Sequence, residues 1–192
     1  NSREIYTKKT NTDYYSPNEI RKIIPYKSVI HHPTVMMTKD IFERTGGYRD
    51  FPCAQDKDLW LRMWEKGAQF YMVNEELLKY RIRRNSVSRL KIYQQKITLD
   101  YIQKLFLERL SRGQDTYSYE NYNEYINKKG VNDVKKIQRM HYYTDLLSKA
   151  KIFEREKKYI KRAILRIKVF VFSPDYRRSY INQIRSRIII KV

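Results

Sequence analysis

The sequence predicts a mixed α/β fold over residues 1–91, joined near residue 91 to an all-α region over residues 92–192. Three observations predict it. Short runs containing β-branched and aromatic residues, Val29–Thr38, Gln69–Val73 and Glu76–Ile82, read as strands. Leu59, Trp60, Met63 and Trp64 recur at i, i+1, i+4, i+5, which makes one apolar helix face over Asp56–Lys66. From Ser86 onward the pattern is helical almost without interruption, broken only near Gly113, Gly130 and Pro174.

Taken in order, residues 1–15 are polar and extended. Ser16-Pro17-Asn18-Glu19 starts a helix: a serine cap, a proline whose missing N–H costs nothing in the first turn, and a carboxylate that complements the dipole. That helix must stop before Pro25. A strand over Val29–Thr38, entered through the loop around Pro33, leads to a helical turn at Lys39–Thr45, which Gly46-Gly47 ends. Gly67 closes the Asp56–Lys66 helix, and two strands joined at Asn74-Glu75 follow. The remaining helices are expected at Ser86–Leu110, Tyr119–Lys129, Val131–Glu154, Lys157–Phe172 and Asp175–Ile190.

Composition narrows the class. Hydrophobic residues make up 41% of the chain, enough for a core and too many for a disordered segment. Eighteen tyrosines suit half-buried faces, because the ring buries while the hydroxyl stays wet. The single cysteine, Cys53, allows no internal disulfide and suits a reducing, cytoplasmic setting. No run approaches the roughly 20 apolar residues that span a bilayer. Asn1-Ser2-Arg3-Glu4 has neither an initiator methionine nor a signal pattern and reads as a cut within a longer protein. The net charge is +20, of which residues 1–91 carry +7 and residues 92–192 carry +13. The second region should therefore seek polyanions.

Residues 21–90 hold the informative motifs: His32-Pro33-Thr34-Val35-Met36, Gly46-Gly47-Tyr48, Gln55-Asp56-Lys57-Asp58-Leu59-Trp60-Leu61-Arg62, Leu77-Leu78-Lys79-Tyr80-Arg81 and Asn85-Ser86-Val87-Ser88. Each is common alone. In this order, over about a third of the chain, they resemble the second half of a bacterial family 2 glycosyltransferase. The resemblance implies a partial GT-A fold (the acceptor-side, catalytic-base half over 1–91) followed by the basic helical region. It also implies transfer of a sugar from a nucleotide-diphosphate donor to an acceptor hydroxyl with inversion, in surface polysaccharide synthesis. The acceptor would be a saccharide or a lipid-linked sugar.

A hydroxyl is a weak nucleophile, so a carboxylate must take its proton as the new bond forms. In the family this is the Asp of a Glu-Asp motif; the matching residue is Asp56, with Gln55 in place of Glu. Asp56 and Asp58 also suit plain helix capping, and for Asp58 capping is the expected role. The resemblance implies substrate-binding positions at Gln55, His32, Thr34, Gly46, Gly47 and Tyr48. Gly46-Gly47 also serves as a helix stop, His32 either lines the acceptor pocket or satisfies backbone, and Trp60 and Trp64 belong to the core. Where related sequences carry Tyr-Arg-x-His, this chain has Arg83, then Arg84. A guanidinium cannot hold a metal but can grip diphosphate oxygens; a solvated basic loop is the competing reading. Mg2+ or Mn2+ is expected for the complete enzyme, its ligand motif lying outside this chain, and no metal ligands are assigned here; His31-His32 is too small a set.

Basic and apolar residues alternate at helical spacing over Lys157–Phe170. Such a helix can lie on an anionic membrane surface, at the inner face of the cytoplasmic membrane, or form a hairpin turning at Pro174 that packs on its neighbours. Two rival functions remain at this point. A nucleic-acid module fits the charge, but no zinc pattern, RNP-like strand or helix-turn-helix supports it. A noncatalytic basic adaptor, or a membrane-binding remnant, fits the tail alone.

Overall fold

The computed structural model describes residues 14–75, 77–78, 91–174, 176–178, 180–181 and 184. Its helices are α1 (Pro17–Ile23), α2 (Lys39–Arg44), α3 (Gln55–Glu65), α4 (Ile92–Arg112), α5 (Tyr119–Lys128), α6 (Val134–Arg155) and α7 (Tyr159–Phe172), with a single 3-10 turn at His32–Thr34. Among the described residues there is no β-strand. This overturns the expected α/β class, and with it the partial GT-A fold.

The reasons are local. Pro33 lacks an N–H and fixes its own φ, so Val29–Thr38 curls into a turn. Thr34 donates its N–H to the carbonyl of His31 at 2.9 Å and Val35 to that of His32 at 3.3 Å, where a strand would donate across a ladder. Gln69–Val73 is non-helical, and Phe70 and Met72 do face the core while Tyr71 and Val73 face outward at 77% and 64% exposure. The side chains alternate as in a strand, but no described residue pairs with this backbone. Most of Glu76–Ile82 lies outside the described residues, as do the expected start at Ser86 and most of Asp175–Ile190.

α1 begins where the sequence placed it. Ser16 accepts from the N–H of Glu19 and the Glu19 carboxylate accepts from the N–H of Ser16 at 2.8 Å, a reciprocal pair that satisfies two otherwise orphaned donors. Ile20 and Ile24 at its end pack with Phe51, Ala54 and Leu61, with Ile97, Tyr101, Ile102, Leu105 and Phe106 of α4, and with Tyr122 and Ile126 of α5. One core thus draws on residues from both sides of residue 91. A smaller cluster on the other side of α3 joins Leu59, Trp60 and Met63 to Val35, Met37, Ile41 and Phe42.

α3 is therefore buried nearly all round, and Asp58 and Arg62 are buried with it. α6 and α7 form an antiparallel hairpin. Its turn lies at Glu156–Lys158, where Lys157 takes a positive φ of 56°; the turn expected at Pro174 leads into residues that lie mostly outside those described. Leu146, Ala150 and Val169 are its buried apolar residues, and the Tyr143 hydroxyl ties the pair by donating to the carbonyl of Phe172 at 2.9 Å.

Candidate active site

α3 starts abruptly. Ala54, just before it, sits in the left-handed region at φ 59° and ψ 16°, a conformation that costs a residue with a Cβ about 1 kcal/mol or more. The reversal places Gln55 and Asp56 in the first helical turn, both half-buried. A carboxylate there is favoured by the unsatisfied N–H groups around it. No side chain caps α3.

Asp58 does not cap it either, contrary to expectation. Its carboxylate is fully buried and paired with Arg62, whose Nε donates to Oδ2 at 2.9 Å and whose Nη2 lies 2.8 Å from the same oxygen. Arg49 stands 3.6 Å from the other oxygen. The remaining donors of Arg62 reach back to the carbonyls of Thr45 and, at 2.7 Å, of Gly47. Arg62 thereby fastens the two-glycine turn to α3. Burial pushes the Arg62 guanidinium down, and Asp58 is the main group opposing that shift.

The charges continue as a balanced chain. Arg49 donates to Asp115 at 2.8 Å and 3.2 Å. Asp115 also accepts from Arg109, which grips Glu65 at 2.7 Å and 2.9 Å. Burial alone would raise the Asp115 pKa, but hydrogen bonds from Arg49 and Arg109 outweigh it and hold the carboxyl below its usual value. Three guanidinium groups meet three carboxylates, so each charge of this chain of contacts has an opposite partner.

On the outer side of this frame the residues picked from sequence come together in part. The two-glycine turn, at φ 74° and 62°, delivers Tyr48, whose hydroxyl lies 2.9 Å from Nε2 of His32. The His32 ring sits edge-on to Trp60, and Phe42 meets Tyr48 edge-to-face. Tyr48 is 41% exposed, open enough to touch a ligand. Burial raises its phenol pKa, and the nearby Asp56 carboxylate raises it further, so Asp56 and Tyr48 share one electrostatic environment.

Lys57, next to Asp56, turns the other way. Its ammonium caps the end of α1 by donating to the carbonyls of Ile24 and, at 3.5 Å, Lys27. Loss of water around it pulls its pKa down to about 8. Thr34 is exposed and spends its hydroxyl on the carbonyl of His31 at 2.8 Å, a local turn contact apart from the His32–Tyr48 pair. Trp60 and Trp64 pack in the two cores as expected, Trp64 donating its indole N–H to the carbonyl of Arg21 at 2.7 Å. Arg83 and Arg84 lie outside the described residues.

Among the described residues no three His, Cys, Asp or Glu side chains converge to hold a metal. The Asp56-Lys57-Asp58 letters do not form a clamp, since Asp58 is already committed to Arg62 and Arg49. These residues do not fit a divalent cation, and no chemical step is routed through one. The roles of Arg49, Arg62, Arg109 and Asp115 were not foreseen from any motif. Only the i,i+4 spacing of Asp58 and Arg62 could have pointed to one contact of the set.

Comparison with known proteins places this chain beside a glycosyltransferase. The relative is the O-antigen biosynthesis glycosyltransferase WbnJ of Escherichia coli, 36% identical over 78 residues, a stretch that covers 40% of this chain. The match spans 31% of that relative's length. No family model matches the chain, and no solved structure does.

Proposed function

We propose that this chain is part of an inverting family 2 glycosyltransferase that builds surface polysaccharide, with Asp56 as its general base. The observation that carries the reading is the position of Asp56: half-buried in the first turn of α3, in the electrostatic environment of Tyr48, whose hydroxyl pairs with His32. The similarity to a named glycosyltransferase over 78 residues supports it.

In the proposed reaction an acceptor hydroxyl, from a saccharide or a lipid-linked sugar, attacks the anomeric carbon of a nucleotide-diphosphate sugar from the face opposite the leaving group. The new C–O bond forms as the bond to the diphosphate breaks. The hydroxyl proton passes to the Asp56 carboxylate, and the nucleoside diphosphate leaves with the bonding electron pair. Tyr48, oriented by His32, keeps an oxygen lone pair available to hold the acceptor. The resemblance assigns Gln55 and the side-chain-free Gly46-Gly47 backbone to substrate contact as well. Arg83 and Arg84 supply the positive charge that the departing diphosphate needs. Mg2+ or Mn2+ belongs to the complete enzyme and would be held by residues other than those described here.

Because the resemblance implies that the nucleotide-binding half lies outside this chain, the test incubates the complete enzyme with a panel of nucleotide sugars and a lipid-linked acceptor extract, scoring release of nucleoside diphosphate and the anomeric configuration of the product. An inverted glycoside that depends on one donor supports the proposal. A retained configuration rules out direct displacement by a hydroxyl deprotonated at Asp56.

A further inference from the structure

α7 has two apolar sides. Val169 is fully buried and Leu165 half-buried on the side that faces the hairpin partner α6. Ile160, Ile164, Ile167 and Val171 follow one another at i, i+4, i+7, i+11 and so form a single line along the opposite side. They are 79%, 58%, 62% and 51% exposed, an expensive arrangement in water for four branched aliphatic side chains.

The charge around the line has one sign. Lys161 flanks it, Lys157 sits at its N-terminal end, and residues 157–174 contain six Lys or Arg and no Asp or Glu, while Lys168 turns toward α6 with its Nζ 5.7 Å from the Tyr142 ring centroid. Arg162 is already engaged, 3.1 Å from Glu154 of α6, and points to the hairpin rather than to the line. The helix of 14 residues is about 21 Å long, and no described helix is long and apolar enough to cross a membrane.

We propose that this face of α7 docks on an anionic lipid bilayer. The helix lies flat, with Ile160, Ile164, Ile167 and Val171 in the acyl boundary and Lys157 and Lys161 among the headgroups. The aliphatic line decides the partner class. Nucleic acid phosphates would satisfy the lysines but would leave four aliphatic side chains in water, whereas a bilayer accepts both at the depth where each sits. Binding to vesicles needs no donor sugar and no acceptor, so this proposal and the catalytic one fail separately.

The experiment is co-sedimentation of the full chain with vesicles of phosphatidylcholine alone and with vesicles carrying about a quarter phosphatidylglycerol. Binding should favour the anionic vesicles and weaken in high salt. Ile164→Glu/Ile167→Glu should weaken it at least about tenfold, and Lys157→Gln/Lys161→Gln should lose about fivefold or more per lysine on anionic vesicles alone. Both pairs are exposed or sit on the outer face, so circular dichroism and the melting temperature should match wild type. Should the glutamate pair disturb the fold, Ile160→Trp gives a second reading: its added fluorescence shifts to shorter wavelength on anionic vesicles. No vesicle binding by wild type, equal binding by the glutamate variant, or no wavelength shift would each overturn the proposal.

Discussion

Arg62 donates through Nη2 to the carbonyl oxygen of Gly47 at 2.7 Å. This bond joins a buried residue of α3 to the turn that carries Tyr48, and the same guanidinium neutralises Asp58. The polar frame of the candidate site is therefore also the ionic centre of the fold.

Arg62→Met should destabilise the protein by about 3–5 kcal/mol in urea denaturation, because it leaves the Asp58 carboxylate buried without its main partner. Adding Asp58→Asn to that variant should recover part of the loss. A loss under about 0.5 kcal/mol, the size of an ordinary surface change, would show that Arg62 does not carry the turn.

The two glycines should respond differently. Gly47 has a φ of 62°, and an added Cβ would sit 3.1 Å from Cζ of Phe42, while Gly46 has a φ of 74° with open space around it. Gly46→Ala should therefore cost only the backbone term of about 1 kcal/mol, and Gly47→Ala should cost more because Phe42 must also move. Denaturation midpoints of the two variants measure the difference.

Tyr48→Phe removes the hydroxyl 2.9 Å from His32 Nε2 at an exposed position. Stability should change by less than about 1 kcal/mol. In the proposed enzyme the acceptor KM should rise severalfold with little change in donor KM. A rise confined to donor KM would assign Tyr48 to the other substrate.

Alkaline stability should turn on Tyr101. Its buried hydroxyl has no hydrogen-bond partner, and burial pushes its pKa from 10.0 to about 12. Between those values the unfolded chain binds fewer protons than the folded one. The stabilising contribution is thus complete below pH 10 and is lost as pH rises toward 12. Lys57, whose pKa is lowered from 10.5 to about 8, acts in the opposite sense, adding stability as pH climbs through that interval. Above its end Tyr101 acts together with Tyr48, Tyr117, Tyr122 and Tyr125, whose phenols burial also raises. Tyr101→Phe should flatten the alkaline loss in thermal melts and leave neutral stability equal or higher by up to about 1 kcal/mol.

Local signals were legible where a few adjacent residues decide the outcome. The Ser16–Glu19 capping pair and the glycine stops at Gly47, Gly67 and Gly113 are of this kind, as is α5, expected over Tyr119–Lys129 and found over Tyr119–Lys128. The strand readings failed because alternation reports only which side chains face a core. Phe70 and Met72 do face one, but no described backbone pairs with theirs. The apolar face read on α3 missed that Asp58 and Arg62 are buried too, since their burial depends on Arg49, Gly47 and Thr45, which come from other parts of the chain. Within the candidate site, His32, Gly47 and Tyr48 were picked from their motifs and lie together, whereas Thr34 serves only its own turn.

The central claim is that Asp56 takes the acceptor proton, and the rate of sugar transfer by the complete enzyme carrying Asp56→Asn, against wild type, tests it most directly. Asp56 is half-buried and outside the Arg62 network, so the variant should keep its melting temperature while transfer falls at least about a hundredfold. Transfer within a fewfold of wild type, by a folded Asp56→Asn protein, would contradict the account.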